Sequence, residues 1–332
     1  MVYVYKKIVG GEPYYYLRAS ERKGRRVIAK DLAYLGNSIG DVRKNLNNLP
    51  QYKEDIRKAY KTMRRFLESN HYLEKVATLK LKKDEFLEYK QAGVEACRLH
   101  YNNVFKKQDE STRREILKNF VIEFAFNTTS IEGNTIKLSE ARKLLEEGKT
   151  PKEKTLREIY DLQNTERVLF GLFESRRKLS HELITEIHSN LMENIDNREG
   201  YRTRDVRVIK ANFEATPAPY VGTDMGLLLK WYNKSEKKMH PLVLATIFHH
   251  KFEKIHPFMD GNGRVGRMVL NYILMRKGYP PVIIHKKSRS DYLDALRDAD
   301  KSGLTKADMG GYANLVRFVA DEMSDYYWDL FL

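Results

Sequence analysis

The alternation of apolar and polar positions changes its rhythm early in this chain. Residues 2–9, 13–22 and 26–35 are rich in Val, Ile and Tyr and are separated by Gly10-Gly11-Glu12-Pro13 and Lys23-Gly24-Arg25. β-Branched and aromatic runs broken by turn formers predict three antiparallel strands joined by hairpins, closed by Gly36-Asn37. From Asp41 the spacing becomes helical, as at Ile56, Tyr60, Met63, Phe66 and Leu67, and 41–110 reads as two or three long helices. The polar stretch Lys106 to Arg113 suggests a boundary near 100–112, followed by a predominantly helical region. Within it, Ser180 to Met192 and Pro241 to Ile255 read as helices, the second with Pro241 in its first turn. Gly200 to Phe213 alternates at Val206 and Val208 and predicts a hairpin, followed by the extended loop Thr216-Pro217-Ala218-Pro219. The regular helix–strand alternation of a doubly wound sheet is missing, so the expected fold is mainly α with small β additions.

At 332 residues, 42% of them apolar, the chain can bury one large core or two ordinary ones. The lone Cys97 rules out an internal disulfide and a Cys-based zinc site, and makes the cytoplasm the expected compartment. Lys6 and Lys7 fall where a signal peptide needs apolar residues, and the longest apolar candidate, Met268 to Ile284, is cut by Asn271, Arg276 and Lys277. No membrane span is expected. Of the net charge of +15, residues 1–100 supply most, with 22 Lys/Arg against 12 Asp/Glu. Such a field attracts nucleic acid, acidic proteins or anionic nucleotides without choosing among them. Tyr14, Tyr15, Tyr16, Arg18, Arg22, Arg25 and Arg26 describe a stacking-plus-phosphate surface and equally a half-buried sheet with solvated turns; no zinc-finger, homeodomain or RNP motif accompanies them.

The densest chemistry lies in His256-Pro257-Phe258-Met259-Asp260-Gly261-Asn262-Gly263-Arg264-Val265-Gly266-Arg267. A Gly-Asn-Gly turn ahead of the apolar run Met268 to Met275 reads as a loop feeding a helix N-terminus, where free N–H groups and the helix dipole favour an anion such as a polyphosphate. His256 has a side chain suited to taking a proton near neutral pH. Asp260 offers a hard oxygen to Mg²⁺. Gly261 and Gly263 let the backbone approach phosphate closely, and Arg264 and Arg267, three apart, share a helix face from which guanidinium groups can fork onto phosphate oxygens. Two lookalikes are excluded. Gly148-Lys149-Thr150 lacks the upstream glycine of a Walker A loop, having Lys143 there, and the G-x-G-x-x-G spacing at Gly261–Gly266 follows a helical segment instead of a strand.

The stretch His256 to Arg267 resembles the signature of the Fic family, H-x-F-x-(D/E)-G-N-G-R-x-x-R, at every specified position. His249, Phe252, Arg289, Tyr292, Ala295, Leu296, Gly200-Tyr201-Arg202 and Asn164 also resemble family positions, so the resemblance covers roughly 112–305. It implies a Fic-type helical core with a small β-hairpin flap, and transfer of AMP from ATP to a Ser, Thr or Tyr hydroxyl of a protein, itself included. It further implies His256 as general base, Asp260 as Mg²⁺ ligand and Gly261, Asn262, Gly263, Arg264 and Arg267 around the phosphates, with Tyr292 near the adenine. Residues 203–210 resemble the flap, so Thr203, Arg204, Asp205, Val206, Arg207 and Val208 are expected to dock an extended segment of a protein target by main-chain pairing.

Thr128-Thr129-Ser130-Ile131-Glu132-Gly133-Asn134 resembles the family's inhibitory motif, (S/T)-x-x-x-E-(G/N), at Thr128, Glu132 and Gly133. On that resemblance Glu132 would pair with Arg267 and turn ATP away from a productive pose. The expected organisation is a sheet over 1–36, accessory helices over 37–111 and a catalytic domain with a C-terminal helix over 112–332. Removal of AMP, with Glu132 positioning water, and a nucleic-acid-binding regulator with a nucleotide-sensing core are the alternative readings. The basic N-terminal region would meet nucleic acid or an acidic protein, and assembly into a homo-oligomer is left open.

Overall fold

The computed structural model describes residues 2–24, 26–207, 214–303 and 308–332, and divides the chain into two compact units, 1–81 with 332, and 82–331. In the first, β1 (Val2–Val9), β2 (Glu12–Lys23) and β3 (Arg26–Gly36) form an antiparallel sheet in the order β1-β2-β3, as the strand-forming pattern predicts. Val4 lies opposite Leu17, and Leu17 opposite Ala33. Because strand side chains alternate between faces, this register collects Val2, Val4, Tyr15, Leu17 and Leu35 on one side. That side packs with Ile39 and Val42 of α1 (Ile39–Asn47) and Met63 of α3 (Tyr60–Ala77), with the short α2 (Lys53–Lys58) between those helices. Ser38 caps α1, its hydroxyl accepting from the Asp41 amide at 3.1 Å.

The second unit is helical: α4 (Gln91–Asn103), α5 (Glu110–Ile131), α6 (Leu138–Glu147), α7 (Leu156–Glu174), α8 (His181–Leu191), α9 (Val221–Ser235), α10 (Pro241–Ile255), α11 (Asn262–Arg276), α12 (Arg289–Ala299) and α13 (Met309–Leu330). α10 and α11 pack on one another at its centre, with α9 and α13 against α10 and with α5, α7 and α8 against α11. α11 is buried nearly all round from Asn262 to Leu274, the condition under which a helix need not be amphipathic. None of the described helices is long and apolar enough to cross a membrane.

Two sequence expectations need correction. The boundary falls at 81/82, well before 112, because α4 belongs to the helical unit: His100 meets Trp328 edge-on at 5.1 Å, and Phe105 meets Phe331 at 5.1 Å. Phe120 of α5 packs on the same Phe331 ring at 5.6 Å, so the polar stretch Lys106–Arg113 is a connection inside one core. The hairpin expected from Gly200 to Phe213 has no strand over 200–207, and 208–213, including Val208, lie outside the described residues. Other hydrogen bonds hold the described part: the Arg204 carbonyl accepts from Arg202 within the segment, and the Asp205 carboxylate accepts from the Ala218 amide of a neighbouring loop at 2.7 Å.

Candidate functional site

The turn between α10 and α11 carries the site. His256 ends α10 in the left-handed region at φ 53°, and Gly261, at φ 79°, precedes α11. A non-glycine residue rarely adopts that conformation, so His256 is held there by its surroundings. Arg202 does much of the holding. Its Nε donates to the His256 carbonyl at 2.8 Å, its Nη2 to the carbonyls of Ile255 and Thr216, and its backbone N–H to the Pro257 carbonyl at 2.9 Å. The Asn262 side chain brackets the same turn, its Oδ1 accepting from the Phe258 amide at 2.9 Å and its Nδ2 donating to the Phe258 carbonyl at 2.8 Å. Asn262 thus holds the loop through its Oδ1 and one of the two N–H groups of its Nδ2.

His256 Nδ1 lies 3.3 Å from the Glu253 carbonyl, which can only accept, so Nδ1 carries the proton and Nε2 keeps its lone pair. Burial pushes the His256 pKa down, opposed by that carbonyl and helped by Arg202. The imidazole is neutral at pH 7, as a base must be. Phe258 stacks on His188 of α8 with centroids 3.8 Å apart and rings 4° from parallel, and His188 Nε2–H donates to the Asp260 carbonyl at 3.1 Å.

Asp260 is ion-paired with Arg157 from α7 and lies 3.6 Å from Arg264. Burial works to raise its pKa, but Arg157 and Arg264 hold the carboxyl below its ordinary range. Arg264 is buried and paired with Asp161, and its Nη2 meets the Met192 sulfur at 3.4 Å. Among the described residues no three or more His, Cys, Asp or Glu side chains cluster as a metal site. Asp260 nonetheless fits Mg²⁺, because its carboxylate is 34% exposed and Mg²⁺ commonly takes one or two carboxylates together with substrate phosphates.

Arg267, on the next turn of α11, is buried. Its Nε donates to the Thr128 hydroxyl at 2.7 Å, and its Nη2 to the Thr128 carbonyl at 3.0 Å and to Glu132 Oε1 at 2.7 Å. Glu132 is the C-cap of α5, and Gly133, at φ 108°, turns the chain away. The turn is anchored from two sides: the Asn134 side chain donates to the Glu158 carbonyl at 2.9 Å, and Arg289 Nε donates to the Ile131 carbonyl at 2.9 Å. Glu132 Oε1 would lie 2.1 Å from a Cβ placed on Gly263. The carboxylate therefore rests on the first turn of α11, where exposed N–H groups favour an anion. Burial lowers and Glu132 raises the Arg267 pKa, with a net increase.

Beneath α11, the buried His249 and the largely buried Glu253 lie 3.8 Å apart. Burial raises Glu253 to about 8 and lowers His249 to about 3, so both are neutral at pH 7. Tyr292 is also buried, its hydroxyl 2.5 Å from His249 Nε2. Thr203, Arg204, Asp205 and Arg207 are exposed and Val206 half-buried. The sequence reading missed Arg157, Asp161, His188 and Glu253. Arg157 and Asp161 are four apart on α7, but nothing in their spacing connects them to residues 103 positions later.

Residues 178–274, which contain the whole signature, match the Fic/DOC family. Over those residues the chain is similar to a Fic domain. Protein adenylyltransferase fic-1 of Caenorhabditis briggsae is 31% identical over 219 residues, 64% of this chain and 42% of that protein. Protein adenylyltransferase Fic of Drosophila ananassae is 32% identical over 224 residues, with 64% of this chain and 42% of that protein covered. The chain therefore spans less than half the length of these relatives. A Fic domain containing signaling protein from Bacteroides thetaiotaomicron shares the fold at a TM-score of 0.65 and 24% identity, over 71% of this chain and 95% of that one. Fic-1 from C. elegans gives a TM-score of 0.57 at 25% identity, over 74% and 82% of the two chains. Glu132 and Thr128 lie outside the matched residues 178–274.

Proposed function

We propose that this chain is a self-inhibited protein adenylyltransferase, which transfers AMP from ATP to Ser, Thr or Tyr hydroxyls of a protein target and of itself. The observation that carries this reading is the Glu132–Arg267 pair at 2.7 Å, lying over Gly263 at the start of α11. An anion-binding helix end is already held by a carboxylate that a nucleotide phosphate would replace. In the proposed reaction, His256 Nε2 accepts the target hydroxyl's proton as that oxygen bonds to the α-phosphorus. The bond from the α-phosphorus to the bridging oxygen breaks, and pyrophosphate leaves. The amides at Gly261 to Gly263, with Arg264, receive the charge that develops on the phosphate oxygens. Asp260 would hold Mg²⁺, which supplies charge neutralisation to the polyphosphate. Arg267, released from Glu132, would take the γ-phosphate, and Tyr292 would lie towards the adenine. The exposure of Thr203, Arg204, Asp205 and Arg207, on the chain that Arg202 ties to His256, supports a role for residues 203–208 in docking the target's backbone.

AMP removal is the second reading. The Glu132 side chain is 43% exposed, as a carboxylate that orients a water molecule requires. One experiment addresses both: intact-mass spectrometry of wild type and Glu132→Gly after incubation with ATP and Mg²⁺. A gain of one AMP, larger in the variant, supports the transferase. No gain in either protein rejects it, and a variant that loses the ability to clear AMP from pre-modified protein promotes removal.

A further inference from the structure

The outer face of the N-terminal sheet has no part in the Fic chemistry, and its composition is unusual for a solvated surface. Register places Tyr3 opposite Arg18, Tyr5 opposite Tyr16 and Tyr16 opposite Tyr34, on the face away from the Val4–Leu17 core. Tyr34 is 53% exposed, its ring centroid 5.4 Å from that of Tyr16 and 6.4 Å from that of Tyr14. The Arg18 guanidinium carbon lies over the Tyr5 ring, 3.6 Å from its centroid, while pairing with Asp31, so this cation is already engaged on the face. Other exposed cations flank the rings: Lys7, opposite Tyr14, and Arg22, four residues beyond Arg18 on β2, share their face, and residues 1–36 hold eight Lys/Arg against three Asp/Glu.

The strand spacing gives this arrangement its meaning. Side chains two apart on a strand, as Tyr3 and Tyr5 or Tyr14 and Tyr16 are, stand about 6.8 Å apart. That is twice the ~3.4 Å rise between successive bases, so every second base of an extended strand can meet a ring along the row. An acidic protein would need only the cations and would leave five phenol rings unexplained. A duplex would hide its base faces from them.

We infer that the Tyr3, Tyr5, Tyr14, Tyr16 and Tyr34 face of the β1-β2-β3 sheet binds single-stranded nucleic acid, with bases stacked on the rings and phosphates met by the surrounding Lys and Arg. Binding is tolerant of sequence, because every base has a π face. The site is independent of the nucleotide chemistry at His256, and its failure would leave that reading intact.

The test is fluorescence anisotropy of a labelled 12-nucleotide single strand with the full chain, at low and physiological salt. The expected dissociation constant is roughly 1–100 µM at physiological salt, the range of sequence-independent binding. Tyr16→Ala with Tyr34→Ala should weaken binding on the order of 5- to 150-fold per ring removed. Tyr16→Phe with Tyr34→Phe, which keeps the rings, should retain it, and separates lost stacking from a damaged fold. Equal affinity in the Ala and Phe variants, equal affinity for a duplex of the same length, or displacement by polyglutamate as effective as by unlabelled strand would each overturn the inference, since charge alone would then account for binding.

Discussion

Arg157 of α7 forms an ion pair with Asp260, and one helical turn further along both segments Asp161 forms the reverse pair with Arg264. Residues four apart lie on one helix face, so the two opposed pairs zip α7 to the start of α11. The carboxylate suited to a metal is thereby occupied by a protein cation.

Metal and Arg157 should therefore compete. With side chains 56% and 34% exposed, the Arg157–Asp260 pair belongs with surface ion pairs, worth about 0.2–1 kcal/mol. Arg157→Ala should lower the Mg²⁺ concentration needed for half-maximal ATP binding by roughly 1.5- to 5-fold, whereas Asp260→Ala should abolish the metal dependence. Calorimetric titration of ATP at graded Mg²⁺ measures both, and an unshifted midpoint in Arg157→Ala would show that the pair does not compete with metal.

On the proposed function, freeing Arg267 should raise AMP transfer. Glu132→Gly removes the carboxylate bonded to Arg267 and leaves a buried guanidinium that an incoming triphosphate can satisfy. A coupling of about 1–3 kcal/mol corresponds to a gain in self-modification of roughly 5- to 150-fold. Combining Glu132→Gly with Arg267→Ala should lose most of that gain. Quantifying incorporated AMP in the four proteins of the cycle is sufficient, and an unaltered rate in the single variant would remove Glu132 from the inhibitory role.

His256→Ala should cost ~10²–10⁴-fold in transfer while ATP binding persists, as expected for loss of a positioned base. The pH profile gives a separate test. Burial pushes the His256 pKa down, so the neutral, active form persists to lower pH than free imidazole allows. Activity should fall as pH drops through that lowered value, with the acid limb of the rate profile centred below ~6.5. A midpoint above 6.5 in a pH–rate series on Glu132→Gly would contradict the burial seen here.

Glu253 supplies a stability test with a defined sign. Burial raises its carboxyl to about 8 in the folded protein, against ~4.3 when unfolded. Between those values the folded state holds a proton that the unfolded state has released, so this group's contribution to stability declines as pH rises and levels off above pH 8. Glu253→Gln, neutral at every pH, should gain thermal stability relative to wild type progressively from pH 5 to pH 8. Melting curves at four pH values would show it, and a constant difference would mean that Glu253 is ionised when buried.

Local patterns were legible wherever short-range chemistry decides the outcome. Val and Tyr alternation between Gly-rich turns marked β1 to β3, Pro241 marked the first turn of α10, and the glycines around Asn262 marked the start of α11. Of the hairpin expected at 200–213, residues 200–207 form no strand, and Arg202 and Asp205 there hydrogen-bond to neighbouring loops. The boundary at 112 read wrongly because a polar stretch looks the same in a linker as in a loop whose two flanks share one aromatic core at Phe331.

By itself, then, the sequence determined which side chains are available for chemistry: one histidine, one carboxylate and two arginines within twelve residues, at the turn between two helices. Spacing along the chain carries that information because helix and turn geometry are local. Tertiary structure alone decided what those groups touch. It set Arg157 on Asp260, Asp161 on Arg264 and Glu132 on Arg267 across more than a hundred residues, and it buried Glu253 and His249 deeply enough to keep them neutral. Ion pairing and desolvation depend on distances of a few ångströms and on the exclusion of water, and packing of the whole core sets both.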